Sequence, residues 1–121
     1  MIATKSPYSW MRVDRVGPVT VVHLLGRAIV EEDAIRLISA ELARLVEKFG
    51  NRRVLLNFGE VKNLSSYMLA GIVNVHRKVN AVGGDLSLCG LNPDLHKVFE
   101  LTRLTKLLKI YVNEKEALRN N

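Results

Sequence analysis

"RRVLLNFGEVKNLSSYMLAGIVNVHRKVNAVGGDLSLCG", Arg52 to Gly90, decides the fold. It begins with "RRVLLNF", an apolar run between polar flanks, the mark of a strand buried on both faces. After the loop "GEVKNL" the apolar residues change period. Met68, Ile72, Val75, Val79 and Val82 step by four, three, four and three, drawing one stripe on a helix from about Ser66 to Val82. Asn74, Arg77, Lys78 and Asn80 fall elsewhere on the wheel. Gly83-Gly84 stops the helix, and "DLSLCG" alternates as a strand. A strand, a helix and a strand in that order predict parallel pairing with the helix as crossover.

Outward from this unit the pattern continues. Toward the N-terminus, "EEDAIRLISAELARLVEKFG" is a helix with Ile35, Ile38, Leu42, Leu45 and Phe49 on one face. Glu31, Glu32 and Asp33 put negative charge at its positive end, Lys48 lies in its last turn, and Gly50 is a suitable left-handed cap. Before it, "VTVVHLL", Val19 to Leu25, reads as a buried strand ended by Gly26. Gly17-Pro18 is the turn from an earlier strand carrying Met11 and Val13. Toward the C-terminus, Asn92, Pro93 and Asp94 start a third helix, "LLKIYV" is a short strand, and Asn113 with Glu116 forms a capping box for a closing helix. The predicted order is ββαβαβαβα: a single α/β domain with a mixed, mostly parallel sheet and about four packed helices. The sequence carries no repeat, linker or low-complexity segment.

Composition bounds the function. The 121 residues fit one domain with its own core, and their balance of apolar and charged residues is globular. The lone Cys89 excludes an internal disulfide and a cysteine-based metal site, and fits a reducing compartment. The first sixteen residues lack the apolar core of a signal peptide, and no apolar run reaches membrane-spanning length, so a cytoplasmic protein is expected. Eighteen Lys and Arg against twelve Asp and Glu give a net charge of +6. The basic residues are scattered, with no arginine-rich arm and no aromatic-interleaved strip. An acidic protein partner is therefore expected, rather than direct nucleic-acid binding.

Enzymatic signatures are missing. No Gly-rich phosphate loop is present, no cluster has metal-ligand spacing, and no cofactor is implied. Ser66 as a nucleophile would need a base within about 3 Å. His76 is ten residues along the same helix, about 15 Å away and pointing elsewhere. His23 sits inside an apolar strand and reads as a hydrogen-bonded core or edge histidine, and His96 as a solvated helix residue. Ser65 and Ser66 stand where the loop becomes the helix. One can serve as the N-cap. One cap does not account for two hydroxyls, and a phosphate there would meet free backbone N–H groups at the positive helix end.

Val54 to Tyr111 resembles the anti-sigma factor antagonists of the STAS superfamily (sulfate transporter and anti-sigma factor antagonist). The family's A-x-G-G reads here as Ala81–Gly84, its G-L-x-P as Gly90–Pro93, and its V-F-E-L-T-x-L as Val98–Leu104. The resemblance extends over roughly residues 10–118, leaving 1–9 and 119–121 as tails. Carried over without a gap, Ser66 matches the serine that the family phosphorylates. Ser65 falls at the motif's aspartate, Tyr67 at its second Ser/Thr and Met68 at its glycine, and Asn57 stands where many members have aspartate. A one-residue shift would make Ser65 the site instead. The resemblance implies a non-enzymatic binding module whose partners are an anti-sigma factor with serine kinase activity and a serine phosphatase. It implies control of sigma-factor-dependent transcription, with Asn63, Ser65, Ser66 and Tyr67 at the partner surface and a homodimer left open. The alternatives are a STAS scaffold or transporter-accessory module without a phosphoswitch, and a ligand-binding protein or enzyme using the serine loop as an anion site.

Overall fold

The computed structural model describes residues 10–26, 28–29, 32–47 and 53–120, with only the backbone at 28–29. Residues 1–9, 27, 30, 31, 48–52 and 121, and with them the expectations for Glu31, Lys48, Phe49, Gly50 and Arg52, lie outside it.

Strand β1 (Met11–Val16) and strand β2 (Val19–Leu24) form an antiparallel hairpin in which Val16 faces Val19. Gly17 takes φ +60 at the first of the two turn residues, the conformation that a type II′ hairpin requires there. From β2 onward the pairing is parallel: β2 with β4 (Arg53–Asn57), β4 with β6 (Asp85–Cys89), and β6 with β7 (Lys109–Tyr111). Among the described residues this sheet has the order β1-β2-β4-β6-β7. The connections are α1 (Glu32–Glu47), α2 (Ser66–Ala81) and α3 (Pro93–Leu101), and α4 (Glu114–Arg119) closes the chain. The expected order is thus realised.

Period-two alternation sends the two sides of each central strand to separate cores. Val22, Leu24, Val54, Leu56, Leu86 and Leu88 face the helices. There they meet Ile35, Ile38 and Leu42 of α1, Met68, Ile72, Val75 and Val79 of α2, and Leu95 and Phe99 of α3. Phe99 stands edge-on to Phe58 with ring centroids 6.2 Å apart, a geometry that contributes about 0.5–1.5 kcal/mol beyond area burial. The opposite face is smaller: Val19, Val21, Leu55 and Cys89 with Ala117 of α4. Double burial is why β2 and β4 read as mostly apolar runs.

Two features differ from expectation. The apolar stripe of α2 ends at Val79. Val82 is 39 % exposed and serves as the C-cap, because Gly83 at φ +74 turns the chain out of the helix. The loop "GEVKNL" is also partly regular. Asn63–Leu64 forms strand β5, paired in parallel with β3 (Ala28–Ile29). This two-residue ladder fixes the chain just ahead of α1 beside the chain just ahead of α2. The helices then approach closely: a Cβ on Gly71 would lie 2.8 Å from Ser39 Oγ. Any side chain at position 71 would have to displace Ser39 Oγ, and glycine avoids that contact.

Candidate functional site

The four residues expected at the partner surface occupy one short segment running from β5 into α2. Asn63 is exposed on β5. Ser65 is the N-cap of α2, with extended backbone at φ −88 and ψ 161. Its hydroxyl accepts from Met68 N at 3.2 Å, and its carbonyl accepts from Met68 N and Leu69 N. Ser66 is the first helical residue and is exposed. Tyr67 follows with 48 % of its surface exposed, and Met68 turns inward to begin the buried stripe. The chain thus divides the two hydroxyls: one is engaged in capping, the other faces solvent. The first turn of α2 carries no acidic side chain, so the positive end of the helix is uncompensated.

Behind this segment lies a polar row that the sequence did not reveal as connected. Parallel register aligns His23, Asn57, Cys89 and Tyr111 across β2, β4, β6 and β7. Asn57 Oδ1 accepts from Gly59 N at 2.8 Å, and Asn57 Nδ2 donates to Glu114 Oε1 of α4 at 2.9 Å. His23 Nε2 lies 3.3 Å from Asp14 and 3.7 Å from Glu114. His23 is thus a largely covered histidine on an interior strand, close to two carboxylates. Gly90 (φ +78) closes over the turn, and a Cβ there would come within 3.2 Å of both Gly59 N and Asn57 Oδ1. Burial pushes the Cys89 thiol up to about 12, with a smaller push from the negative charge of Glu114. It is a protonated core thiol, not a nucleophile.

The remaining histidines do not converge on the serines. His76 Nε2 pairs with Asn80 at 3.0 Å, and His96 lies 3.8 Å from Glu100 on its own helix. Among the described residues no group of three or more His, Cys, Asp and Glu side chains is arranged to hold a metal ion. Among them also, no helix is long and apolar enough to cross a membrane. What the segment can do chemically is present a hydroxyl at a helix N-terminus to another protein.

The family model described as STAS domain matches residues 13–117. BtrV of Bordetella bronchiseptica is 31% identical over 107 residues, spanning 88% of this chain and 89% of BtrV. The anti-sigma F factor antagonist of Paenibacillus polymyxa is 23% identical over 100 residues, spanning 83% of this chain and 84% of its own. Among solved structures, TM1081 of Thermotoga maritima matches with a TM-score of 0.82 and 22% identity, over 94% of this chain and 96% of that one. The anti-sigma factor antagonist SpoIIAA, solved unphosphorylated and, from Bacillus, phosphorylated, matches with a TM-score of 0.72 in both forms. Identity is 19% and 21%, over 91% of this chain and 96% and 97% of those chains. The four-helix, mostly parallel architecture is the one these structures share.

Proposed function

The chain belongs to the STAS domain family, and from that premise we propose that it acts as an anti-sigma factor antagonist switched by phosphate on Ser66. Unphosphorylated, it binds an anti-sigma factor that is also a serine kinase and so frees the sigma factor for transcription. Phosphate transfer to Ser66 ends the binding, and a serine phosphatase restores it. The protein is the substrate of that chemistry and performs none. ATP and Mg²⁺ belong to the kinase. On this reading it works in the cytoplasm as one unit of residues 10–118, through Asn63, Ser65, Ser66 and Tyr67.

The observation that carries the reading is the division of labour between the serines. Ser65 caps α2, so a modification at Ser66 leaves the cap intact. A phosphate on Ser66 adds about −1.5 to −2 of charge at the positive end of a helix, where it is favoured by about 0.3–1 kcal/mol. The fold tolerates it. A partner packed over the same spot does not, because an unpaired buried charge costs several kcal/mol and each ~1.4 kcal/mol is tenfold in affinity.

The test begins with mass spectrometry of the protein from its own cells, seeking phosphate on the Lys62–Arg77 peptide. The co-purified kinase is then titrated with Ser66→Asp, Ser65→Asp and Ser66→Ala. Loss of binding for Ser66→Asp, by about a hundredfold with phosphate itself, is expected. Loss for Ser65→Asp instead moves the switch to Ser65. Tight binding by both, with no phosphate found, favours the scaffold or transporter-accessory reading. That reading draws on one observation, that Ser65 stands where the family motif has its aspartate.

A further inference from the structure

The serine segment is one end of a longer surface. Tyr67 opens onto a groove of about 470 Å³ between α1 and α2, bounded by Arg36 and Ser39 on one side and Ala70, Gly71, Asn74 and Arg77 on the other. We infer that this groove is a docking site for an acidic, amphipathic helix of the protein partner. The inference rests on the binding-module reading above and adds an anchor distinct from the switch.

Shape is the first argument. Two helices packed side by side leave a furrow into which a third helix lays its ridge, provided the floor carries small side chains. Ala70 and Gly71 are that floor, and Gly71 already lets α2 come close to Ser39 Oγ of α1. Ile35, Tyr67 and Val73 add apolar surface along the walls. Charge is the second. The groove is lined by two guanidinium groups and by no acidic side chain. Arg36 is bonded outward to Glu32 at 2.9 Å and lies 3.5 Å from Asp33, exposed surface pairs of the kind that exchange partners at little cost. Arg77 is exposed, with no ion pair or hydrogen bond among the described residues. The sequence of α2, "SYMLAGIVNVHRKVNA", has no acidic residue anywhere, and the whole chain carries +6. The complementary occupant bears carboxylates facing Arg36 and Arg77 and small apolar residues facing the floor.

Position gives the groove its role. Arg77 lies eleven residues beyond Ser66, about 16 Å along the helix. A charge placed on Ser66 is screened at that distance, beyond about one Debye length at physiological salt. Contacts at the Arg77 end are therefore not the ones that a phosphate on Ser66 disrupts, and the occupant's other end stops at Tyr67, the groove residue next to the serine. Such an anchor keeps the kinase on its substrate independently of the residues that flank Ser66 in the motif.

The test is ¹H–¹⁵N NMR titration of the full chain with a synthetic helix of about 18 Leu, Ala and Glu residues, ~27 Å long, against the same peptide with Lys replacing Glu. Expected are shifts centred on the amides of Ser39, Gly71, Asn74 and Arg77 with the Glu peptide only. Arg77→Glu weakens binding by at least about tenfold, and Ala70→Trp, which fills the groove from an exposed position, abolishes it. The inference is overturned by equal binding of the Lys peptide or by shifts centred elsewhere. It is also overturned if the same amides move with protein concentration alone, which assigns the groove to a second copy. Competition by inorganic phosphate overturns it too, assigning the groove to a small anion. No kinase enters this experiment, so failure of the phosphoswitch leaves its result standing, and failure of the groove leaves the switch standing.

Discussion

Asn57 on the central strand and Glu114 on the closing helix, 57 positions apart, meet through one hydrogen bond, Asn57 Nδ2 to Glu114 Oε1 at 2.9 Å. The amide's other atom holds Gly59 N at 2.8 Å, so one side chain ties α4 to the turn that leads toward Ser66. This explains a departure from the family pattern: an aspartate at position 57 would set a second carboxylate against Glu114.

Asn57→Asp is therefore expected to destabilise the protein by about 1–3 kcal/mol at neutral pH, through a lost donor and a like-charge contact. The loss shrinks as pH falls through the carboxylate range, where one of the two carboxyls takes up a proton. Glu114→Gln in the same background restores most of it, since the amide introduced at position 114 donates to the carboxylate introduced at position 57. Urea titrations at pH 7 and pH 4 across the double-mutant cycle measure both effects. Additive losses in the cycle would show that the two side chains do not communicate.

The two serines are also expected to separate by stability. Ser65→Ala removes the cap of α2 and costs about 1 kcal/mol, whereas Ser66→Ala stays within about 0.5 kcal/mol of wild type. Denaturant midpoints of the two variants give the ranking. The reverse ranking would mean that Ser66 is the cap and Ser65 the free hydroxyl.

Ile72→Ala opens a cavity in the middle of the larger core and is expected to cost about 2–5 kcal/mol. Val82→Ala, at the exposed C-cap, changes stability by less than about 0.5 kcal/mol. Equal effects at the two positions in urea titration would place the buried face of α2 elsewhere.

Helix stripes were legible in the sequence because a period of 3.6 repeats several times within one helix, and Met68 through Val79 declare their inward face without help. The same regularity failed at Val82, where the turn imposed by Gly83 outweighs the valine's hydrophobicity. Strands β3 and β5 were illegible because two residues cannot show a period, and their pairing is settled by tertiary contact. At the site, the serine junction was readable from local capping chemistry. The Asn57–Glu114 bond and the α1–α2 groove were not, since each depends on which residues the topology brings together across long intervals of chain. Gly71 offered a signal: an isolated glycine inside a helical stripe marks a close approach, here to Ser39.

Cys89 supplies a pH-dependent test. Its thiol is held at about 12 against an ordinary 9.0, so the folded protein keeps a proton that the unfolded chain releases. The associated stability is complete below pH 9 and is lost as pH rises from there toward 12. At pH 8 a disulfide reagent such as DTNB is expected to label Cys89 only as fast as the fold opens, with urea accelerating the reaction. Rapid stoichiometric labelling of native protein would contradict its burial.

The small β3–β5 ladder has a wider consequence. β2, β3 and α1 follow one another as β4, β5 and α2 do, and the matching elements lie side by side: β2 against β4, β3 against β5, Ser39 of α1 against Gly71 of α2. The interval from Val19 to its partner Arg53 is also the interval from Glu32 to Ser66, the first residues of the two helices. The two helix starts differ in charge. The first unit carries Glu32 and Asp33 there, and the second carries no acid. On the proposed phosphoswitch, one half of the molecule is born with the charge that the other half would receive from a kinase. Phosphate on Ser66 would make the two helix starts electrostatic twins, and the unmodified protein is the one in which that internal symmetry is broken.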